Sequence, residues 1–168
     1  VFVLLSTIFS ASGYTVYNGC PDLTNLGASY VEAYTGRTWE PMQDKGVVEG
    51  RHTVISTQGT DPYTDNKLKL LPEGATSVVR LGNDLAEAET DVLVYHFRVD
   101  ADNPILKLRY AVVMENPGHA KHDQPYFKLE VLDARGSLID RHSQYEVYAN
   151  ANASGFHASS LPGKLGSS

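Results

Sequence analysis

The sequence predicts an all-β protein, an antiparallel β-sandwich of jelly-roll type. Two observations carry that expectation. Beyond the N-terminus no run of ten or more residues repeats its apolar positions with a helical period, whereas several short runs alternate apolar and polar residues. Glycine and proline, 14 and 8 of the 168 residues, punctuate these runs as turns between short strands require. A third observation excludes the repeat architectures: no 20-to-50-residue unit recurs, so a solenoid or propeller is not expected.

Val1 to Phe9 (VFVLLSTIF) is an apolar run followed by the small residues Ser10, Ala11, Ser12 and Gly13. That is the h-region and cleavage zone of a secretory signal without its basic start, with cleavage expected after Ser12. A transmembrane helix needs about 20 apolar residues, so the run does not span a bilayer; the competing reading is a buried strand. The expected division is a signal remnant at 1–12, an N-terminal segment at 13–28 and a β-sandwich module at 29–168.

Within the module, Tyr30 to Thr35 is a short strand ended by Gly36. Arg51 to Thr57 is β-branched between Gly50 and Gly59, and Thr76 to Leu81 lies between Gly74 and Gly82. Asp91 to Val99 places Leu93, Tyr95, Phe97 and Val99 on one face and His96 and Arg98 on the other, the pattern of a strand with one buried side. Ile105 to Met114 repeats the alternation, and its apolar second half predicts a central strand. Tyr126 to Asp133 buries Phe127, Leu129 and Val131. Asp100-Ala101-Asp102-Asn103-Pro104 and Asp133-Ala134-Arg135-Gly136 carry turn chemistry. The glycine-rich end, Leu161 to Ser168, offers no closing element, and a fragment of a longer protein is expected.

Twenty acidic residues against fourteen basic ones give a net charge of −6, with the basic residues scattered. Nucleic acid is therefore not the expected partner, and no membrane insertion is expected once the signal is removed. One cysteine, Cys20, forms no disulfide within the chain.

Candidate chemistry is confined to loops. His119, His122 and Asp123 have metal-ligating side chains but lack helical HExxH spacing, so a solvated loop is the expected reading. Asp61 and Asp65 in one loop and Asp100 and Asp102 in another are oxygen ligands of the kind calcium takes, although Asx turns explain both loops more simply. No G-x-S-x-G elbow and no phosphate-cradling glycine loop occurs. Ten tyrosines and Trp39 exceed the needs of a small core, and a flat aromatic face stacks on a sugar ring. Tyr30, Tyr34, Trp39 and Tyr63 fall in or near loops and are the candidate ligand-binding residues.

The succession Cys20-Pro-Asp-Leu-Thr-Asn-Leu, Ala33-Tyr-Thr-Gly-Arg, Gly50-Arg-His-Thr-Val, Gly59-Thr-Asp-Pro, Leu71-Pro-Glu-Gly, Val79-Arg-Leu-Gly-Asn, Tyr95-His-Phe, Tyr110-Ala-Val-Val-Met-Glu-Asn-Pro-Gly-His, Gln124-Pro-Tyr-Phe and Glu130-Val-Leu-Asp resembles a β-sandwich module. The module is that of large secreted surface proteins of Bacteroidetes, the class of PKD-repeat and gliding-motility-associated adhesins exported by the type IX system. The resemblance covers roughly Cys20 to Tyr148. It implies an extracellular, non-catalytic adhesion module, a glycan or surface protein as partner, and the type IX machinery as its export route. It implies no catalytic residues. It also implies further strands beyond this chain and a disulfide partner for Cys20 among them. The alternatives are a secreted polysaccharide hydrolase or its accessory domain, using Glu87, Glu89 or Glu115, and a structural spacer.

Overall fold

The structure, a computed structural model, describes residues 2–6, 17–18 and 22–161 apart from 86, 103 and 151, with the first two segments described by their backbone pairing. The chain is all-β, with small sheets that do not close on themselves. Its strands are β1 (Phe2–Ser6), β2 (Tyr17–Asn18), β3 (Val31–Arg37), β4 (Glu40–Lys45), β5 (His52–Ile55), β6 (Val78–Leu81), β7 (Glu89–Arg98), β8 (Tyr126–Leu132) and β9 (Gln144–Tyr148). The main sheet runs β4-β3-β7-β1-β8-β9, and β5 and β6 form a separate ribbon. The pairs β3–β4, β3–β7, β8–β9 and β5–β6 are antiparallel. By contrast β1 lies parallel to both β7 and β8, and β2 continues parallel along β7. The apolar run read as an export signal thus contains a central strand of the sheet; its expected cleavage zone lies outside the described residues, as does Cys20.

Strand β7 organises the core. Leu93, Tyr95 and Phe97 project to one face, where they pack with Ala33 of β3 and Leu81 of β6. Leu23, Leu26, Leu106, Leu129 and Val131 extend this cluster. Val92 and Val94 project to the opposite face against Tyr34 and Tyr126. The period-two pattern predicts a solvated second face for β7, but Thr90 to Phe97 are buried without a break. His96 is only 1% exposed, which overturns its expected outward position, whereas Arg98 is exposed as the alternation requires. A strand with neighbours on both edges and side chains packed over both faces buries its polar positions too, provided each finds a partner.

Ile105 to Met114 is not the expected central strand. The segment forms no regular element. It crosses the core face as a strap: Leu106 joins the core cluster, and the Tyr110 ring stacks on Phe127 at 5.2 Å, with Tyr145 at 6.0 Å. Arg109 Nη1 donates to the Glu73 carbonyl at 2.8 Å. Alternation records which side chains face apolar surface, and a strap lying on a finished core produces it without pairing its backbone.

The expected turn after β8 does form. Arg135 and Ser137 donate their backbone N–H groups to Asp133 Oδ1, and Gly136 takes a φ of +78° that suits glycine. Gly36, by contrast, does not end β3, which continues to Arg37 through an irregularity in its pairing with β4. Strand β4, with Pro41 and Lys45, is polar and lies at the sheet edge, where such residues discourage further pairing.

Replacing Leu93, 1% exposed, by alanine is expected to cost about 2–5 kcal/mol, read as a lowered urea midpoint. Ile105→Ala, at a side chain 83% exposed, is expected to stay within about 0.5 kcal/mol of the parent chain.

Candidate functional site

Arg51 immediately precedes β5 and reaches across to the start of β7. Its Nε lies 2.6 Å from Asp91 Oδ1, Nη1 lies 3.0 Å from Glu89 Oε1, and Nη2 donates to the Thr90 carbonyl at 2.9 Å. Asn83 Nδ2 donates to the other oxygen of Glu89 at 3.0 Å. Burial pushes the Asp91 carboxyl up from its ordinary value, and the Arg51 charge opposes that shift. Next to Arg51, the His52 ring is buried, which holds it below the ordinary 6.5, while Asp91 and the carbonyls of Val92 and Tyr34 pull the other way. Its Nδ1 accepts the Val48 N–H at 3.1 Å, an arrangement that requires the neutral ring.

This network forms one wall of a polar groove of about 290 Å³ between β3, β4 and the start of β7. Thr35, Gly36 and Arg37 come from β3, Gln43 and Asp44 from β4, and Arg51 and Glu89 from the ion pair. Register explains the convergence: Thr35 pairs with Asp44 on one side and Asp91 on the other, and Arg37 pairs with Glu40 and Glu89. Gly36 allows the strands to approach, since a Cβ there would lie 2.1 Å from the Glu40 carbonyl oxygen. Among the described residues the side chains of Arg37, Gln43 and Asp44 carry no hydrogen bond or ion pair. Trp39 sits in the β3–β4 turn, two residues beyond Arg37, and is 77% exposed.

A second polar cluster lies one register further along. Glu32 Oε1 accepts from the Tyr34 hydroxyl at 3.0 Å and from Lys45 Nζ, and Oε2 lies 2.9 Å from His96 Nε2. Burial alone would raise the Glu32 carboxyl, but Lys45, His96 and Tyr34 together bring it below its ordinary value. Lys45 also stands 5.7 Å over the Tyr34 ring. Both carboxylate oxygens are engaged, so this cluster joins β3, β4 and β7 and is a structural lock.

The four candidate aromatic residues part company. Trp39 is exposed on the groove's turn. Tyr63 is 42% exposed, and its hydroxyl donates to Asp84 at 2.8 Å. Tyr34 is half-buried in the Glu32 cluster, and Tyr30 is buried, its hydroxyl donating to the Asp22 carbonyl at 3.1 Å. Tyr30 is therefore core and presents no ring face to a ligand.

The candidate calcium residues lie in separate surroundings, and Asp65 ties its loop to the distant Ser159–Ser160 segment. Asp65 accepts from the Ser160 hydroxyl and N–H and from Ser159, with Lys67 at 3.2 Å; these bonds, the Ser160 hydroxyl foremost, lower its carboxyl to about 2. Asp100 Oδ1 accepts the Asp102 N–H at 3.0 Å in an Asx turn, and the Asp61 carbonyl accepts the Thr64 hydroxyl at 2.9 Å. Among the described residues no three of His, Cys, Asp and Glu gather as a metal ion needs. In the 119–123 loop, His122 Nε2 lies 3.1 Å from Asp123, both exposed. Of the carboxylates considered for hydrolysis, Glu87 is exposed, Glu115 is half-buried just after the strap and Glu89 is held by Arg51 and Asn83.

No family model, curated protein or solved structure matches the chain. Among the described residues no helix is long and apolar enough to cross a membrane.

Because folded His52 titrates below 6.5, the unfolded chain takes up a proton that the folded chain refuses as pH falls through 6.5. Stability is accordingly expected to drop over that window. His52→Asn keeps an acceptor for the Val48 N–H without titrating, so its urea midpoint is expected to fall less between pH 7.5 and 5.5 than that of the parent. Gly36→Ala drives a methyl into backbone that has no rotamer to yield, and is expected to cost about 1–3 kcal/mol in thermal or urea unfolding.

Proposed function

We propose that this protein is an extracellular, non-catalytic binding module that contacts carbohydrate through Trp39 and the adjoining groove. The observation that carries the reading is the pairing of an indole 77% exposed with uncommitted Arg37, Gln43 and Asp44 side chains. A large apolar ring held in water gains when a flat partner covers it, and the apolar face of a sugar is such a partner. The polar groups beside it supply what the hydroxyls of that sugar need, the combination of apolar surface and a few placed polar groups that marks small-ligand sites.

The finer parts of this reading rest on the sequence resemblance. They are a jelly-roll sandwich as the complete architecture, secretion or cell-surface display, export by the type IX machinery, and membership of a larger adhesin. The net charge of −6 is in keeping with such a surface module.

Trp39→Ala is expected to lower the affinity for a glycan ligand by about tenfold or more, measured by calorimetry after a glycan-array screen of the full chain. Because the indole is so exposed, the same variant is expected to melt within a degree or two of the parent, on the order expected for surface substitutions. Undiminished binding by Trp39→Ala would remove the basis of the proposal.

A further inference from the structure

Resting on the reading of this groove as a carbohydrate site, we infer that it selects neutral glycans, with Arg37, Gln43 and Asp44 reading a pair of adjacent hydroxyls while Trp39 carries the neighbouring ring. Two kinds of charge meet in the groove. Arg51 is engaged: Nη1 and Nε face the Glu89 and Asp91 carboxylates and Nη2 donates to the Thr90 carbonyl, so its charge is balanced within the wall it shapes. That leaves Arg37 and Asp44, one charge of each sign, as the uncommitted ionic groups.

Register then decides what these two accept. Arg37 has Glu40 and Glu89 as its cross-strand neighbours, and Asp44 stands across from Thr35 in the same hairpin. An anionic sugar drawn to Arg37 is therefore set among carboxylates, and a cationic one drawn to Asp44 meets Arg37. Like charges brought close in a partly desolvated groove oppose binding, and with a chain of net charge −6 the long-range field also disfavours the anion. Hydroxyls avoid both conflicts. A carboxylate accepts two of them, a guanidinium donates to their lone pairs, and the Gln43 amide does either. The groove, about 290 Å³, lies at the lower end of the range that encloses a small ligand, about 300 Å³, so it takes one sugar residue and leaves the next to the exposed indole.

The test compares, on the full chain, neutral hexose oligosaccharides with counterparts of the same backbone that carry a uronate, a sulfate or a free amino group. Neutral glycans are expected to bind at least about tenfold more tightly than either charged series. Asp44→Asn and Arg37→Gln are each expected to weaken neutral-glycan binding several-fold with little change in melting temperature. A charged counterpart that binds as well as its neutral parent overturns the inference. So does unchanged affinity in both Asp44→Asn and Arg37→Gln while Trp39→Ala abolishes binding, a result that leaves the carbohydrate reading standing. Unchanged binding in Trp39→Ala itself, or no binding to any glycan, removes that reading and the selectivity with it.

Discussion

Strand β7 is buried on both faces while carrying Asp91 and His96, and the rest of the fold is arranged to neutralise what that burial would otherwise leave uncompensated. Asp91 is met by Arg51, and His96 by Glu32, which is held in turn by Lys45 and Tyr34. Removing one member of such a buried pair strands its partner and typically costs about 3–5 kcal/mol, more than the intact pair contributes. The two clusters therefore act as registers. One fixes β3 and β4 against β7, and the other fastens the β5–β6 ribbon to the main sheet so that Val79 and Leu81 reach the core.

The groove is a by-product of the same arrangement. With Arg51 turned inward to β7, its outer side becomes a rigid wall, and the close approach at Gly36 brings Gln43 and Asp44 of β4 opposite it. Groups placed by a strand ladder and an ion pair lose little freedom when a ligand arrives, which favours binding. Trp39 differs in being held only by its turn. A side chain this apolar, left 77% exposed in the turn that leads into a polar edge strand, is a cost to the isolated chain that a ligand relieves.

Much of the strand framework was legible. The β-branched run before Gly59, the run ending at Leu81, and the alternation in Tyr126 to Leu132 each became a strand, because their patterns and flanking turn residues agree locally. Ile105 to Met114 had the same alternation and became a strap, since periodicity is blind to whether a backbone finds a partner. The N-terminal run shows the same blindness from another side. A short apolar run serves equally as the h-region of a signal or as a central parallel strand, and here it supplies β1. Strand β4 was missed because an edge strand is polar on nearly every position and leaves no period to read.

Of the candidate aromatic residues, Trp39 and Tyr63 were legible as exposed, because turn residues surround both in the chain, and only Trp39 lies in the hairpin that forms the groove. The sequence by itself determined the all-β class, most strands and turns, and the exposed positions of Trp39 and Tyr63 between strands, since each of these follows from residues within a few positions of one another. Only the tertiary structure decided that Tyr30 belongs to the core, that His96 is buried, and that Arg51 meets Glu89 and Asp91 some forty positions away. Pairing at that distance depends on which strands lie side by side, and strand order is settled by the burial of the whole core, which no local stretch of sequence contains.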